Sequence, residues 1–206
     1  MNQNFLALGL DEVIVQAVDQ LGFEKPSPVQ EKCIPIVLNE DTDLVALAQT
    51  GTGKTASFGL PLIQKIDNEN RKTQALVLAP TRELCIQITA DLKDFACFKK
   101  TNVVAVYGGA SITDQAKKLK KGAQVIVATP GRLQDMINRR LVDLSHIDYL
   151  VLDEADEMLN MGFQDAIDEI LETASGDRNT WLYSATMPKS VAKIASNYMK
   201  DPVEVT

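Results

Sequence analysis

The chain has 206 residues and a formal net charge of −7, a length that suits one large α/β domain better than two small ones. A chain of this size buries about 70% of the surface its unfolded form exposes, so it needs no disulfide or metal staple. Its acidity argues against indiscriminate nucleic-acid binding without excluding a local basic track, and no apolar run in it is long enough to span a bilayer.

The opening MNQNFLALGL carries neither the basic region nor the cleavage site of a leader. Leu10 to Leu21 then reads as an amphipathic helix, with Leu10, Ile14, Ala17, Val18 and Leu21 on one stripe. In GFEKPSPVQ, Ser27 is an N-cap, Pro28 suits the first helical position and Gln30 the third, which predicts a capping box. The same Gln30 amide can pair with the N6/N7 edge of adenine; spacing alone favours the cap.

Leu44 to Leu47 is an apolar run of strand length, and Gln49 to Gly53 interrupts it before a helical segment opens at Lys54. Strand, glycine-rich turn and helix start are the layout of a phosphate-cradling loop over Gln49, Thr50, Gly51, Thr52 and Gly53, in which Gly51 and Gly53 lack a Cβ and so let backbone N–H groups close on phosphate oxygens. Lys54 reaches the β/γ-phosphates and Thr55 ligates Mg²⁺. Ala48 stands where the strict pattern has its first glycine, and is small enough for that turn.

Further strands are expected at Ala75 to Ala79, Val103 to Tyr107, Val125 to Ala128, Tyr149 to Leu152, Thr180 to Tyr183 and Val203 to Val205. Thr81 caps a helix with Leu84, Ile88, Leu92 and Phe95 on its apolar stripe. Ser111 and Asp114 open a basic helix that stops at Gly122; its Lys117, Lys118, Lys120 and Lys121 read as a solvated face. Thr129-Pro130 starts a helix carrying Arg132, Gly162 to Ala174 is helical with Phe163, Ile167, Ile170 and Leu171 buried, and a helix runs from about Pro188 to Met199. Trp181 reads as core and His146, the one histidine, as a capping or surface residue. Cys33, Cys85 and Cys97 are odd in number and lack C-x-x-C spacing, as expected of reduced core thiols in a cytosolic protein.

This alternation implies an α/β domain with a mostly parallel, doubly wound sheet and helices on both faces. Gln49, Pro80-Thr81-Arg82, Gly108-Gly109, Thr129-Pro130-Gly131-Arg132, Asp153-Glu154 and Ser184-Ala185-Thr186 each follow an expected strand. In a parallel sheet those ends share one edge, the edge that binds ligands. Asp153, delivered by four apolar strand residues, is placed to hold Mg²⁺ at the phosphate loop, and Glu154 to orient or deprotonate the attacking water. The sequence has no N-K-x-D guanine reader and no H-R-D or D-F-G, which disfavours a GTPase or a protein kinase.

GFEKPSPVQ, AQTGTGKT, PTREL, the glycine pair at 108–109, TPGR, DEAD and SAT occur in this order, and in this the chain resembles, over its whole length, the N-terminal RecA-like domain of the DEAD-box ATP-dependent RNA helicases. The resemblance implies a single P-loop NTPase domain over residues 1–206, with a Q-motif region at about residues 1–31. It implies ATP and Mg²⁺ as cofactors and single-stranded or duplex RNA as partner, in the cytoplasm and away from membranes. It makes Gln30 an adenine reader with Phe23 and Lys25 beside the same base. It gives Pro80, Thr81, Arg82, Gly108, Gly109, Thr129, Pro130, Gly131 and Arg132 contacts to the RNA sugar-phosphate backbone. Ser184 and Thr186 become the relay to Asp156 that couples nucleotide state to RNA.

These helicases carry a second RecA-like lobe with an H-R-x-G-R-x-x-R-type stretch, and nothing in these residues matches it. The chain is therefore expected to be a half-enzyme, nearly inactive alone, because a missing arginine finger is worth about 10³–10⁵ in rate. The alternative in another class is a nucleotide-gated RNA clamp or scaffold that does not separate strands; a DNA helicase is a third reading, which GFEKPSPVQ and DEAD together disfavour.

Overall fold

The structure is a computed structural model that describes residues 1–39, 41–174 and 176–206. Three helices open it: α1 (Gln3–Leu6), α2 (Glu12–Gln20) and α3 (Pro28–Asn39). Strands and helices then alternate through β1 (Leu44–Leu47), α4 (Lys54–Lys65), β2 (Ala75–Leu78), α5 (Arg82–Phe95), β3 (Val103–Val106) and α6 (Ile112–Lys120). The second half runs β4 (Val125–Ala128), α7 (Pro130–Asn138), β5 (Tyr149–Leu152), α8 (Ala155–Asn160), α9 (Gln164–Thr173), β6 (Asn179–Ser184), α10 (Lys189–Tyr198) and β7 (Val203–Val205).

Among the described residues the strands form one seven-stranded sheet in the order β3-β4-β2-β5-β6-β1-β7, and every pairing in it is parallel. The expected mostly parallel sheet is thus wholly parallel. Because side chains alternate along a strand, every strand except β7 feeds two cores. Ala75 and Val77 join one core with α1 to α5, whereas Leu76 and Leu78 join the other with α6 to α10. Parallel pairing brings the C-terminal ends of all the strands to one edge of the sheet. There the chain leaves β1 for a helix on one face, but leaves β5 and β6 for helices on the other, and such diverging connections open a ligand crevice.

Several local expectations are corrected. The stripe of α2 stops short of Leu21, which is 38% exposed beyond the end of the helix. Cys33 and Cys85 are buried, but Cys97 is exposed, because it follows the end of α5. A helix that the sequence reading did not assign, α8, forms over Ala155–Asn160 directly after Asp153-Glu154. Phe163 is only half-buried ahead of α9. The capping box at α3 has one arm: Gln30 Oε1 accepts from the Ser27 N–H at 3.0 Å, while the Ser27 hydroxyl is buried without a hydrogen-bond partner. The caps at Thr81 and Ser111 form as expected, each side chain accepting an N–H three residues on. Trp181 is core at 1% exposure, and His146 lies exposed in the turn before β5.

Candidate active site

β1 delivers the phosphate loop at the C-terminal edge of the sheet. Gly53 takes φ +90°, a left-handed conformation open to glycine, and a Cβ there would lie 2.5 Å from Gln30 Nε2. The Thr52 hydroxyl donates to the Gln49 carbonyl at 2.7 Å and closes the loop on itself. No hydrogen bond among the described residues takes the backbone N–H of Gly51, Thr52, Gly53, Lys54 or Thr55. These are the orphan donors of a helix N-terminus, the natural seat of an anion.

Lys54 is only 6% exposed and its ammonium has no hydrogen-bond partner. Its nearest countercharge is Asp153 Oδ1 at 3.8 Å. Burial raises the Asp153 pKa from 3.8 to about 6, a shift that the Lys54 ammonium opposes and Glu154 reinforces. An unbonded buried ammonium beside a cradle of free N–H groups fits the phosphates of a nucleotide. Among the described residues no group of three or more His, Cys, Asp or Glu side chains could hold a metal by itself. That suits Mg²⁺, which binds through one or two carboxylates and substrate phosphates rather than an all-protein cage. Thr55 and Asp153 fit this requirement, lining one cavity.

Glu154 occupies the N-cap of α8 with φ 52°, ψ 52°, a left-handed conformation that costs a non-glycine residue of order 1–3 kcal/mol. Its N–H donates to Asp153 Oδ1 at 3.0 Å, which ties the Asp153 carboxylate to the backbone where α8 begins. The cavity they border has a volume of about 440 Å³ and gathers Phe23, Gln30, Thr50, Gly51, Gly53, Lys54, Thr55, Asp153 and Glu154 from distant parts of the chain. Lys25, Gln49 and Thr52 do not line it.

Gln30 reaches into this cavity with a double tie that its sequence context could not disclose. Beyond the Ser27 bond, its Nε2 donates to the Gly53 carbonyl at 3.1 Å. Phe23 stands edge-on to Phe95 with ring centroids 6.4 Å apart. Sequence reasoning missed the α5 wall, where Gln87, Asp91 and Asp94 line the same cavity. The Asp91 carboxyl is raised by burial and by Asp94. The available signal was a polar row at 87, 91 and 94 beside the apolar stripe, which reads as solvated until α5 is packed next to the loop.

β6 and α8 bring Asp156, Ser184 and Thr186 together. The Thr186 hydroxyl and N–H donate to Asp156 Oδ2 at 2.7 and 3.0 Å. Ser184 Oγ accepts from the Asp156 N–H at 3.3 Å and donates to the Thr186 carbonyl at 2.7 Å. Burial opposes the Asp156 carboxylate, but hydrogen bonds from Thr186, Ser184 and the Glu157 N–H together outweigh it and hold its pKa below the ordinary value.

The arginines on the same edge differ from each other. Arg82 is exposed, with its guanidinium 5.0 Å from the Tyr107 ring centroid. Arg132 is half-buried, and its Nη1 donates to the Ala110 carbonyl at 3.0 Å and to Gln115 Oε1 at 3.1 Å. Arg132 therefore ties α7 to the loop after Gly108-Gly109 with one nitrogen and leaves its others free. Pro80, Thr81, Thr129, Pro130 and Gly131 sit at the starts of α5 and α7 on this edge.

A family model described as DEAD/DEAH box helicase matches residues 27–194. The ATP-dependent RNA helicase CshA of Listeria monocytogenes is 52% identical over 198 residues, covering 96% of this chain and 38% of that protein. The ATP-dependent RNA helicase DeaD of Escherichia coli K12 is 48% identical over 202 residues, covering 98% of this chain and 32% of its own length. The crystal structure of a DEAD box protein from the hyperthermophile Methanococcus jannaschii superposes with a TM-score of 0.95 at 43% identity, over 98% of this chain and 55% of that one. The chain thus spans roughly a third to two-fifths of the curated relatives' lengths.

Proposed function

The chain belongs to the DEAD/DEAH box helicase family, and from that premise we propose that it is the ATP-binding lobe of a cytoplasmic ATP-dependent RNA helicase. Residues 1–206 act as one nucleotide-binding domain. In the whole protein a second RecA-like lobe closes over the nucleotide and one RNA strand, and hydrolysis releases that strand after a short duplex has been destabilised. The observation that carries this reading is the buried, unbonded Lys54 ammonium set between free loop N–H groups and the Asp153-Glu154 pair.

Each residue then has a task. The loop N–H groups from Gly51 to Thr55 and the Lys54 ammonium bind the triphosphate. Thr55 and Asp153 hold Mg²⁺, which when bound neutralises charge on the β- and γ-phosphate oxygens. Glu154 accepts the proton of the attacking water. Gln30 reads adenine with Phe23 and Lys25 nearby. Pro80 to Arg82, Gly108-Gly109 and Thr129 to Arg132 hold the RNA backbone, contacts that position a strand without reading its sequence. Asp156, Ser184 and Thr186 link the acidic end of β5 to the end of β6.

Glu154→Gln in the two-lobe protein tests the assignment. It should keep nucleotide bound while phosphate release nearly stops, because an amide cannot take the water's proton. Turnover near the unmutated rate would remove Glu154 from catalysis. An unmutated protein that hydrolyses slowly and stays on RNA without separating strands would be a clamp instead.

A further inference from the structure

The edge of the sheet opposite the phosphate loop carries a second charged surface. Arg71 and Lys72 precede β2, Lys120 and Lys121 end α6, and Arg140 follows α7; together they border one shallow concavity of about 440 Å³ beside His146. All five cations are exposed. The concavity has one acid, Asp143, and its Oδ1 already accepts from the Ser145 hydroxyl at 2.6 Å and the Ser145 N–H at 3.0 Å. Five cations against one anion give this surface a local charge of +4, in a chain whose net charge is −7.

A solvated lysine face accounts for α6 alone, but two observations go beyond it. First, the five cations converge from three separate segments of the chain on one concavity whose lining has a single acid, and among the described residues none of them makes an ion pair. Arg139, next to Arg140 in sequence, does pair with Asp135 at 2.7 Å. Second, Arg140 holds φ 55°. Its N–H bonds to the Ile137 carbonyl and the next N–H to that of Met136, the Schellman pattern that normally puts glycine at this position. The end of α6 shows the usual solution, with Gly122 at φ +98°. The fold draws no hydrogen bond or ion pair from the Arg140 guanidinium among the described residues, so the helix end bears the backbone cost of a cation there without using its charge.

We propose that Arg71, Lys72, Lys120, Lys121 and Arg140 form a second binding surface for a phosphodiester backbone, on the edge of the sheet away from the nucleotide. The cations are too exposed to desolvate a small anion. An extended polyanion instead gains from each counterion it releases along the surface. The choice of RNA as that polyanion rests on the function proposed above: a strand held at the opposite edge of the same domain raises the effective concentration of its own flanking segments at this surface. The surface takes either a single-stranded flank or a duplex arm, since both present the same phosphates.

The test is the salt dependence of RNA binding by the 206-residue chain, read by anisotropy with a labelled single strand and a labelled blunt duplex. In one variant Arg71, Lys72, Lys120 and Lys121 become Gln and Arg140 becomes Gly; the other variants are Arg140→Gly alone and Arg82→Ala with Arg132→Ala. The log–log salt slope should become shallower by up to about 3.5 in the five-site variant on single strands, at about 0.7 per cation, and by up to about 4.5 on duplex. A larger change on one of the two RNAs identifies the arm that lies there. Arg140→Gly should lose about one cation's share of slope while its melting temperature holds or rises, because glycine relieves the left-handed strain. Nucleotide affinity should not change in either. An unchanged slope in the five-site variant, with a loss in the Arg82/Arg132 variant, overturns this surface and leaves the proposed function standing. No RNA binding by the unmutated chain at low salt overturns this surface and leaves the proposed function standing, because that function holds RNA between two lobes. Displacement of RNA from this surface by polyglutamate as readily as by unlabelled RNA would overturn the RNA assignment in favour of an acidic protein partner.

Discussion

Gln30 offers the sharpest test of how fold and function share one side chain. Its amide has two donors and two acceptor lone pairs, and the fold uses one of each, toward Gly53 and Ser27. One donor and one acceptor remain, the pair that adenine N7 and N6 require. Gln30→Ala removes both internal bonds at a site that is 5% exposed. At about 1 kcal/mol per net hydrogen bond the cost is about 2 kcal/mol, or a Tm lower by roughly 4 to 8 °C for a domain of this size. It also removes the base contact, narrowing the preference for ATP over GTP and CTP by about 1–3 kcal/mol. Gln30→Glu separates the two effects. A carboxylate still accepts from the Ser27 N–H, but its second oxygen faces the Gly53 carbonyl where an N–H had donated, and it cannot donate to N7. Calorimetry with ATP, GTP and CTP, alongside thermal melts, reads both quantities. If Gln30→Ala lowers the Tm and leaves the nucleotide ratios unchanged, the amide is only a cap and the adenine assignment fails.

Lys54→Ala should weaken ATP by at least about tenfold in calorimetry, since the phosphates lose their one buried cation; unchanged affinity would refute the loop assignment. Gly53→Ala should destabilise the chain by about 1–3 kcal/mol from the left-handed backbone alone, with a further loss as the new methyl displaces Gln30, and a melt equal to the unmutated chain would contradict the packing described. Arg82→Ala and Arg132→Ala should each weaken RNA for all sequences alike, but only Arg132→Ala should also lower the Tm, because only Arg132 holds internal hydrogen bonds. Asp153→Asn should stabilise the ligand-free chain at pH 7 by about 3 kcal/mol, the worth of a shift from 3.8 to about 6. The sign follows from the raised folded pKa: the stability from this group is complete below pH 3.8 and is lost as pH rises through about 6, so the gain should vanish near pH 3.5, and a constant gain across pH would refute the burial argument.

The strands and the sheet edge were legible because a buried parallel strand is a nearly uninterrupted apolar run, and the runs of β1 to β6 give way to polar, proline or glycine residues to which the proposed function assigns tasks. The phosphate loop was legible for a related reason, since its chemistry needs adjacent residues. Contacts between distant segments were not. Nothing in GFEKPSPVQ states that Gln30 will reach the Gly53 carbonyl, 23 residues away. The α5 wall was hidden because Gln87, Asp91 and Asp94 satisfy a solvated reading until the helix packs beside the loop. The helix α8 was hidden by its own acids, which suit a ligand-bearing turn as well as a first helical turn. Cys97 and Leu21 went wrong at element ends, where one residue decides whether a side chain faces the core.

The candidate site gathers three features that are unfavourable for folding. Lys54 is a buried ammonium without a hydrogen bond, Asp153 a buried carboxylate with a raised pKa, and Glu154 a non-glycine residue in a left-handed conformation. Each is costly for folding, and under the proposed function one ligand would relieve two of the three: phosphate oxygens would satisfy the ammonium and the loop N–H groups, and Asp153 would stay ionised beside a divalent cation. The left-handed backbone at Glu154 sets where α8 begins, next to Asp153. Stability given up at these groups would then return as affinity for the nucleotide. The Arg140 helix end follows the same logic on the opposite edge, where backbone strain maintains a cation that only a bound polyanion would use.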